Sequence, residues 1–183
     1  MISLSLLLAP AAALAAPAQA PADLFKSACI SGTVSLPRGS TAAVDYDRIP
    51  RAARVALGQT MAAPGDSTIR GAPRRDDVPN LIYQIGPGQS LFLLVPPAGG
   101  GATGRFAAAC ALVWKGEHFR EGQAAILPDP PADLPPQAPQ SSSVGLASIG
   151  TVSGGLFVSV TTLADWTVLK SLPQAQAPLP GER

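Results

Sequence analysis

Histidine, cysteine, aromatic side chains and net charge are all scarce in this chain. Its 183 residues include one histidine, two cysteines and two tryptophans, so any imidazole chemistry must use His118 and any thiol chemistry Cys29 or Cys110. Charged residues make up only 14% of the chain, and 13 basic against 12 acidic side chains leave a net charge of +1. That balance lacks the basic footprint expected of a nucleic-acid-binding protein, or of a patch for anionic lipid. No nucleic-acid partner is expected. Long apolar runs are missing as well. The greasiest stretch, MISLSLLLAPAAALAAPAQA, is interrupted by Pro10 and dilutes into alanine, short of the roughly 20 strongly apolar residues an integral membrane span requires.

What that first stretch does have is the layout of a secretory signal peptide over residues 1–20: no charged side chain, an apolar run, then small residues at A-x-A spacing. Ala18-Gln19-Ala20 and Ala13-Leu14-Ala15 are alternative cleavage sites. Cys29 is a poor lipid-attachment site, because Lys26 stands where an acylation box wants leucine. The expected location is therefore periplasmic or secreted, and the alanine-, proline- and arginine-rich vocabulary suits a GC-rich bacterial genome. In an oxidising compartment two cysteines are most simply a disulfide. A Cys29–Cys110 bridge would close a loop of about 80 residues and stabilise the fold by roughly 4 to 5 kcal/mol on the chain-entropy model.

Residues 21–172 read as a single exported α+β domain, with 173–183 as a disordered tail. Asp23 is placed to cap a helix over about 24–30, which carries Cys29 inward and stops at Gly32. A second helix starts at Asp47, with Pro50 in its first turn. Its apolar stripe is Ile49, Ala52, Ala53, Ala56 and Leu57, and Gly58 ends it. Arg48, Arg51 and Arg54 fall on the other side as a solvated face. Residues 60–79 have no period and read as a loop. From 81 to 95, LIYQI, GPGQ and SLFLLV predict a hairpin. Residues 106–114 are either a strand, with Cys110, Leu112 and Trp114 on one face, or an alanine-rich helix. The proline-rich 128–143 reads as an extended surface loop. Three short strands follow, at 144–152, 156–162 and 166–169, turning at Gly154 and Gly155. The expected fold is two short N-terminal helices on a mostly antiparallel sheet, tied by one helix-to-core disulfide.

Chemistry is concentrated in FAAACALVWKGEHFREG. Cys110 with His118 has the residue types of a thiol nucleophile and its base, but eight strand residues separate them by more than about 20 Å if extended. Glu117, His118 and Glu121 are the candidate catalytic residues of a distributed hydrolase site, and His118 with Glu121 forms an H-x-x-E pair that would suit a metal only on a helix. Gly116 and Gly122 argue against a helix there, so no metal site is expected. Gly99, Gly101 and Gly104 match G-x-G-x-x-G, yet Pro96 and Pro97 part them from the strand, no βαβ unit follows, and Arg105-Phe106 stands where a phosphate loop needs Lys and Ser or Thr. No cofactor is expected. G-x-S-x-G is absent. These readings favour a non-catalytic binding or envelope-interaction domain whose partner is a protein or envelope component. The alternative is a small secreted hydrolase using His118.

Overall fold

A computed structural model describes residues 20–42, 44–60, 71–86, 88–99, 105–127, 140–141, 147–153 and 155–173. Residues 1–19 of the expected signal peptide, most of the proline-rich segment and the residues beyond 173 lie outside these residues, as do 61–70 and 100–104.

Among the described residues the frame is one seven-stranded antiparallel sheet. Its strands are β1 (Leu81–Gln84), β2 (Leu91–Val95), β3 (Cys110–Lys115), β4 (Gln140–Ser141), β5 (Ala147–Ser153), β6 (Leu156–Leu163) and β7 (Trp166–Pro173). They lie in the order β1-β2-β3-β7-β6-β5-β4. The C-terminal hairpin β6–β7 thus joins the first three strands through β7, which pairs with β3 from Cys110↔Ser171 to Lys115↔Trp166. The predicted 81–95 hairpin is present, with Ile82 facing Leu94 and Gln84 facing Phe92. The ambiguity at 106–114 resolves as a turn followed by a strand that starts at Cys110. Gln140 and Ser141, expected in the surface loop, form β4.

Period-2 alternation divides the core between the two faces of this sheet. On one face Ile82, Phe92, Leu94, Ala111, Val113, Trp166, Val168 and Leu172 pack with Tyr46, Ile49, Ala53, Ala56 and Leu57. On the other, Leu93, Cys110, Leu112, Val158, Val160 and Leu169 pack with Leu24, Phe25, Ala28, Cys29, Ala125 and Ile126. Helix α2 (Arg51–Thr60) covers the first face. Helices α1 (Pro21–Phe25) and α3 (Phe119–Ile126) cover the second. The fold is α+β, as the sequence implies, but with helices on both sides.

The helix boundaries differ from the sequence expectation for local reasons. α1 begins at Pro21 with Ala20 in the N-cap position, so Asp23 sits in the first turn rather than capping it. A proline at the first helical position forfeits no hydrogen bond, which favours the earlier start. The helix continues as a π-helical turn over Lys26–Ile30 and stops before Gly32, whose φ is +69°. Asp47 lies in a 3-10 turn, Tyr46–Arg48, and its carboxylate pairs with Arg54 at 2.7 Å instead of capping α2. Ala52 is exposed rather than on the buried stripe.

Two glycines expected to stop or prevent helices lie inside them. Gly58 is within α2, where an added Cβ would strike the carbonyl oxygen of Gly71. Gly122 is within α3, where a Cβ would come to 2.7 Å from Val160 Cγ2 and 3.3 Å from Leu169 Cδ2. Each glycine is used for close approach between a helix and its neighbour, and that need outweighs a helix-propensity cost of about 1 kcal/mol.

Candidate functional site

The chain leaves β3 at Lys115 and bends at Gly116, which has a φ of +110° and donates its N–H to the Asp165 carbonyl at 2.9 Å. The bend carries His118 back over the strand it has just left. Its imidazole stacks flat on Trp114, with ring centroids 3.6 Å apart and planes 4° from parallel. A side chain at Gly116 would fall 2.5 Å from His118 Nε2, so the bend, the glycine and the stack depend on one another.

Both imidazole nitrogens face protein groups. Nε2 lies 3.2 Å from the Lys115 carbonyl oxygen, which fixes a proton on Nε2 if that hydrogen bond is made. Nδ1 lies 3.6 Å from Glu121 Oε1. The backbone N–H of His118 donates to Thr167 Oγ1 at 2.9 Å, and that hydroxyl donates to the Gly116 carbonyl at 2.8 Å. The His118 carbonyl accepts the Gly122 N–H and so opens α3. His118 therefore occupies the N-cap position of α3 and locks the β3–α3 corner.

The predicted candidates meet only in part. His118 and Glu121 come together because residues 119–126 are helical after all, which sets them three residues apart on one side of the first turn. Glu117 is exposed at the bend. Cys110 is unavailable as a nucleophile, because its sulfur is bonded to that of Cys29, as the sequence suggested. The hydroxyl nearest this corner, Thr167, meets the His118 backbone rather than its ring. A group of three His, Cys, Asp or Glu side chains able to hold a metal does not occur among the described residues.

A second polar cluster is chemically less ordinary, and sequence reading misses it. Lys170, in the middle of β7, points to the α2 face and is 2% exposed. Its Nζ donates to the Thr60 carbonyl at 2.7 Å, which is the carbonyl of the last residue of α2. It also lies 5.5 Å from the centroid of the Phe157 ring and 5.9 Å from that of Phe106. Directly opposite on β6 is buried Ser159, whose Oγ has no hydrogen-bond partner among the described residues. Gln59, Thr60 and Thr161 are buried nearby on the same side.

Among the described residues no carboxylate lies within ion-pair distance of Lys170. Burial lowers its pKa from 10.5 to about 8, because removing an ammonium from water penalises the charged form. A cation bonded to a helix-terminal carbonyl is also favourably placed against the helix dipole. The arrangement anchors the end of α2 to the sheet.

A signal for this lysine exists in the sequence. Trp166, Val168, Lys170 and Leu172 share one face once the strand is extended through WTVLKSLP. Ending the strand at Leu169 leaves Lys170 outside it.

No described helix is long and apolar enough to cross a membrane. The disulfide is consistent with an oxidising, extracytoplasmic compartment. A scan against protein-family models and searches of curated proteins and of solved structures found no match.

Proposed function

We propose that this protein is a bacterial, exported, non-catalytic interaction domain of the periplasm or extracellular medium, which holds a protein or envelope component by strand addition at β5. The observation that carries this reading is the inequality of the sheet's two edges. The β1 edge is closed by the chain itself: Thr41 and Gln84 exchange both backbone hydrogen bonds, and the Val44 N–H donates to the Ile82 carbonyl. At the other end, among the described residues, β4 covers β5 at Ala147 and Ser148. From 149 to 153 the outer edge of β5 has no neighbouring strand among the described residues.

An uncovered edge presents unpaired N–H and C=O groups to any extended chain of suitable sequence. The stretch ASIGTVS contains neither charge nor proline, the usual deterrents to such pairing. The engagement of His118 by Trp114, Lys115 and Glu121 also supports a structural rather than catalytic histidine. Export is supported by the composition of residues 1–20 and by the bridge.

A photo-crosslinking side chain at Thr151, compared with one at exposed Arg51 on α2, tests the reading in the producing cell. Adducts specific to position 151 are expected. Equal labelling at both positions, or none, removes the reading. The alternative, a hydrolase using His118 and Glu121, requires turnover that disappears in His118→Ala while the disulfide and fold persist.

A further inference from the structure

We propose that the Cys29–Cys110 bridge is a conformational device as well as a covalent tie. Closed, it holds residues 26–30 in a π-helical turn; opened by a dithiol, it lets the turn return to α-helix and re-aims the exposed segment that follows. The device is independent of strand addition at β5.

Bonding from i to i+5 is rare and occurs mostly as single turns within α-helices, where something outside the helix favours it. Here the α-helical start, Pro21–Phe25, passes directly into Lys26–Ile30, and the Ser31 N–H donates to the Lys26 carbonyl at 2.9 Å, five residues back. The turn reads KSACI, with neither of the residues that most readily break an α-helix, proline and glycine.

The tertiary reason for the turn lies in where Cys29 must point. Leu24, Phe25, Ala28 and Cys29 are all buried against the second face of the sheet. At 3.6 residues per turn, an α-helix running on from Leu24 would place Ala28 about 40°, Phe25 about 100° and Cys29 about 140° round the axis. Cys29 would then lie at the margin of the buried stripe. A wider turn advances fewer degrees per residue and swings Cys29 back towards the middle, over β3. There it is held at two atoms. Its sulfur is bonded to that of Cys110, the first residue of β3, and its carbonyl accepts a hydrogen bond from Ser171 Oγ at 2.9 Å.

The position of Cys29 fixes the direction in which the chain leaves the turn. Ile30 and Val34, at 39% and 41%, are the exposed large apolar side chains among the described residues, and they lie in this outgoing segment. Thiol–disulfide exchange with a dithiol moves two electrons and two protons to the bridge: the dithiol leaves as a disulfide, and Cys29 and Cys110 become thiols. Cys29 then keeps only its carbonyl hold. The helix recovers i→i+4 bonds, and the segment beginning at Ile30 rotates about its axis. An oxidised and a reduced chain would thus present different apolar surfaces.

The test uses long-range HNCO spectra, which detect couplings across backbone hydrogen bonds. The full exported chain is compared oxidised, reduced with dithiothreitol, as Cys29→Ala with Cys110→Val, and as Ser171→Ala with the bridge intact. Oxidised wild type and Ser171→Ala should couple the Ser31 N–H to the Lys26 carbonyl. Both bridge-free forms should couple it to the Ser27 carbonyl instead, one α-helical step nearer. Persistence of the Lys26 coupling in a folded bridge-free form overturns the inference. Its loss in Ser171→Ala does so too, because the hold would then belong to Ser171. If both bridge-free forms unfold, the bridge is a tie alone and the inference falls.

Discussion

The two faces of the sheet secure their helices by different physics. On one face the α1 segment is tied covalently to β3 through Cys29 and Cys110, and Ser171 Oγ donates to the Cys29 carbonyl at 2.9 Å beside the bridge. On the other, α2 is secured by apolar packing and by the Lys170 ammonium at its final carbonyl. A disulfide stabilises chiefly by restricting the unfolded chain. A buried lysine acts in the folded state, where its desolvation opposes its hydrogen bond. The first attachment should respond to reductant and the second to pH.

The largest effect that would separate the faces is loss of the bridge. Replacing Cys29 and Cys110 by alanine together should cost up to roughly 4 to 5 kcal/mol in urea unfolding, and hydrogen exchange should rise first at Leu24 and Phe25. If α2 amides open equally early, the two attachments are not independent and the comparison fails.

Next is Lys170. Its folded pKa of about 8 lies below the unfolded 10.5, so between those values the unfolded chain binds more protons and stability rises with pH. The gain is on the order of 3 kcal/mol across that window. Below pH 8 the lysine is charged in both states and contributes no pH dependence. Lys170→Met should abolish the rise, as urea midpoints measured from pH 7 to 10.5 would show. A variant that keeps the wild-type slope would mean that Lys170 is not the titrating group.

Tyr46 sharpens the comparison on the same face with the opposite sign. Its hydroxyl donates to the Pro73 carbonyl at 2.9 Å, and burial, the largest cause, raises its pKa from 10.0 to about 12. Here the folded state holds the proton longer, so stability falls as pH rises from 10 towards 12. Tyr46→Phe should remove that fall and cost about 1 kcal/mol at neutral pH through the lost hydrogen bond.

The smallest expected effect is at the β3–α3 corner. His118→Ala should cost about 0.5 to 1.5 kcal/mol through loss of the Trp114 stack, and Glu121→Gln less than about 0.5, since the pair is largely exposed. Thermal unfolding of both variants gives the ranking. An inverted order would mean that the Glu121 contact, rather than the stack, holds the corner.

The hairpin over 81–95 was legible because LIYQ and LFLLV are short apolar runs bounded by turn residues. CALVWK is apolar almost throughout, so period left strand and helix open there, and only its pairing with β2 and β7 decided for strand. The two scarce cysteines did foretell the bridge. Gly58 and Gly122 were misleading because propensity weighs the isolated helix, whereas their value lies in contact with Gly71 and Val160 from distant parts of the chain. His118 drew attention by its rarity and proved to be part of a corner. Lys170, one of 13 lysines and arginines, was missed because the expected strand stopped at Leu169, one residue short of it.

The sequence by itself determined the α+β class, the 81–95 hairpin, the single possible intrachain bridge and the scarcity of histidine and cysteine, since these follow from local pattern, turn residues and counts. Only the tertiary structure decided that β7 lies between β3 and β6, that Lys170 closes α2 from within, and that one sheet edge is covered while part of the other lacks a neighbouring strand among the described residues. Those outcomes depend on which distant segments meet, and their energies come from desolvation and backbone pairing between residues far apart in the chain.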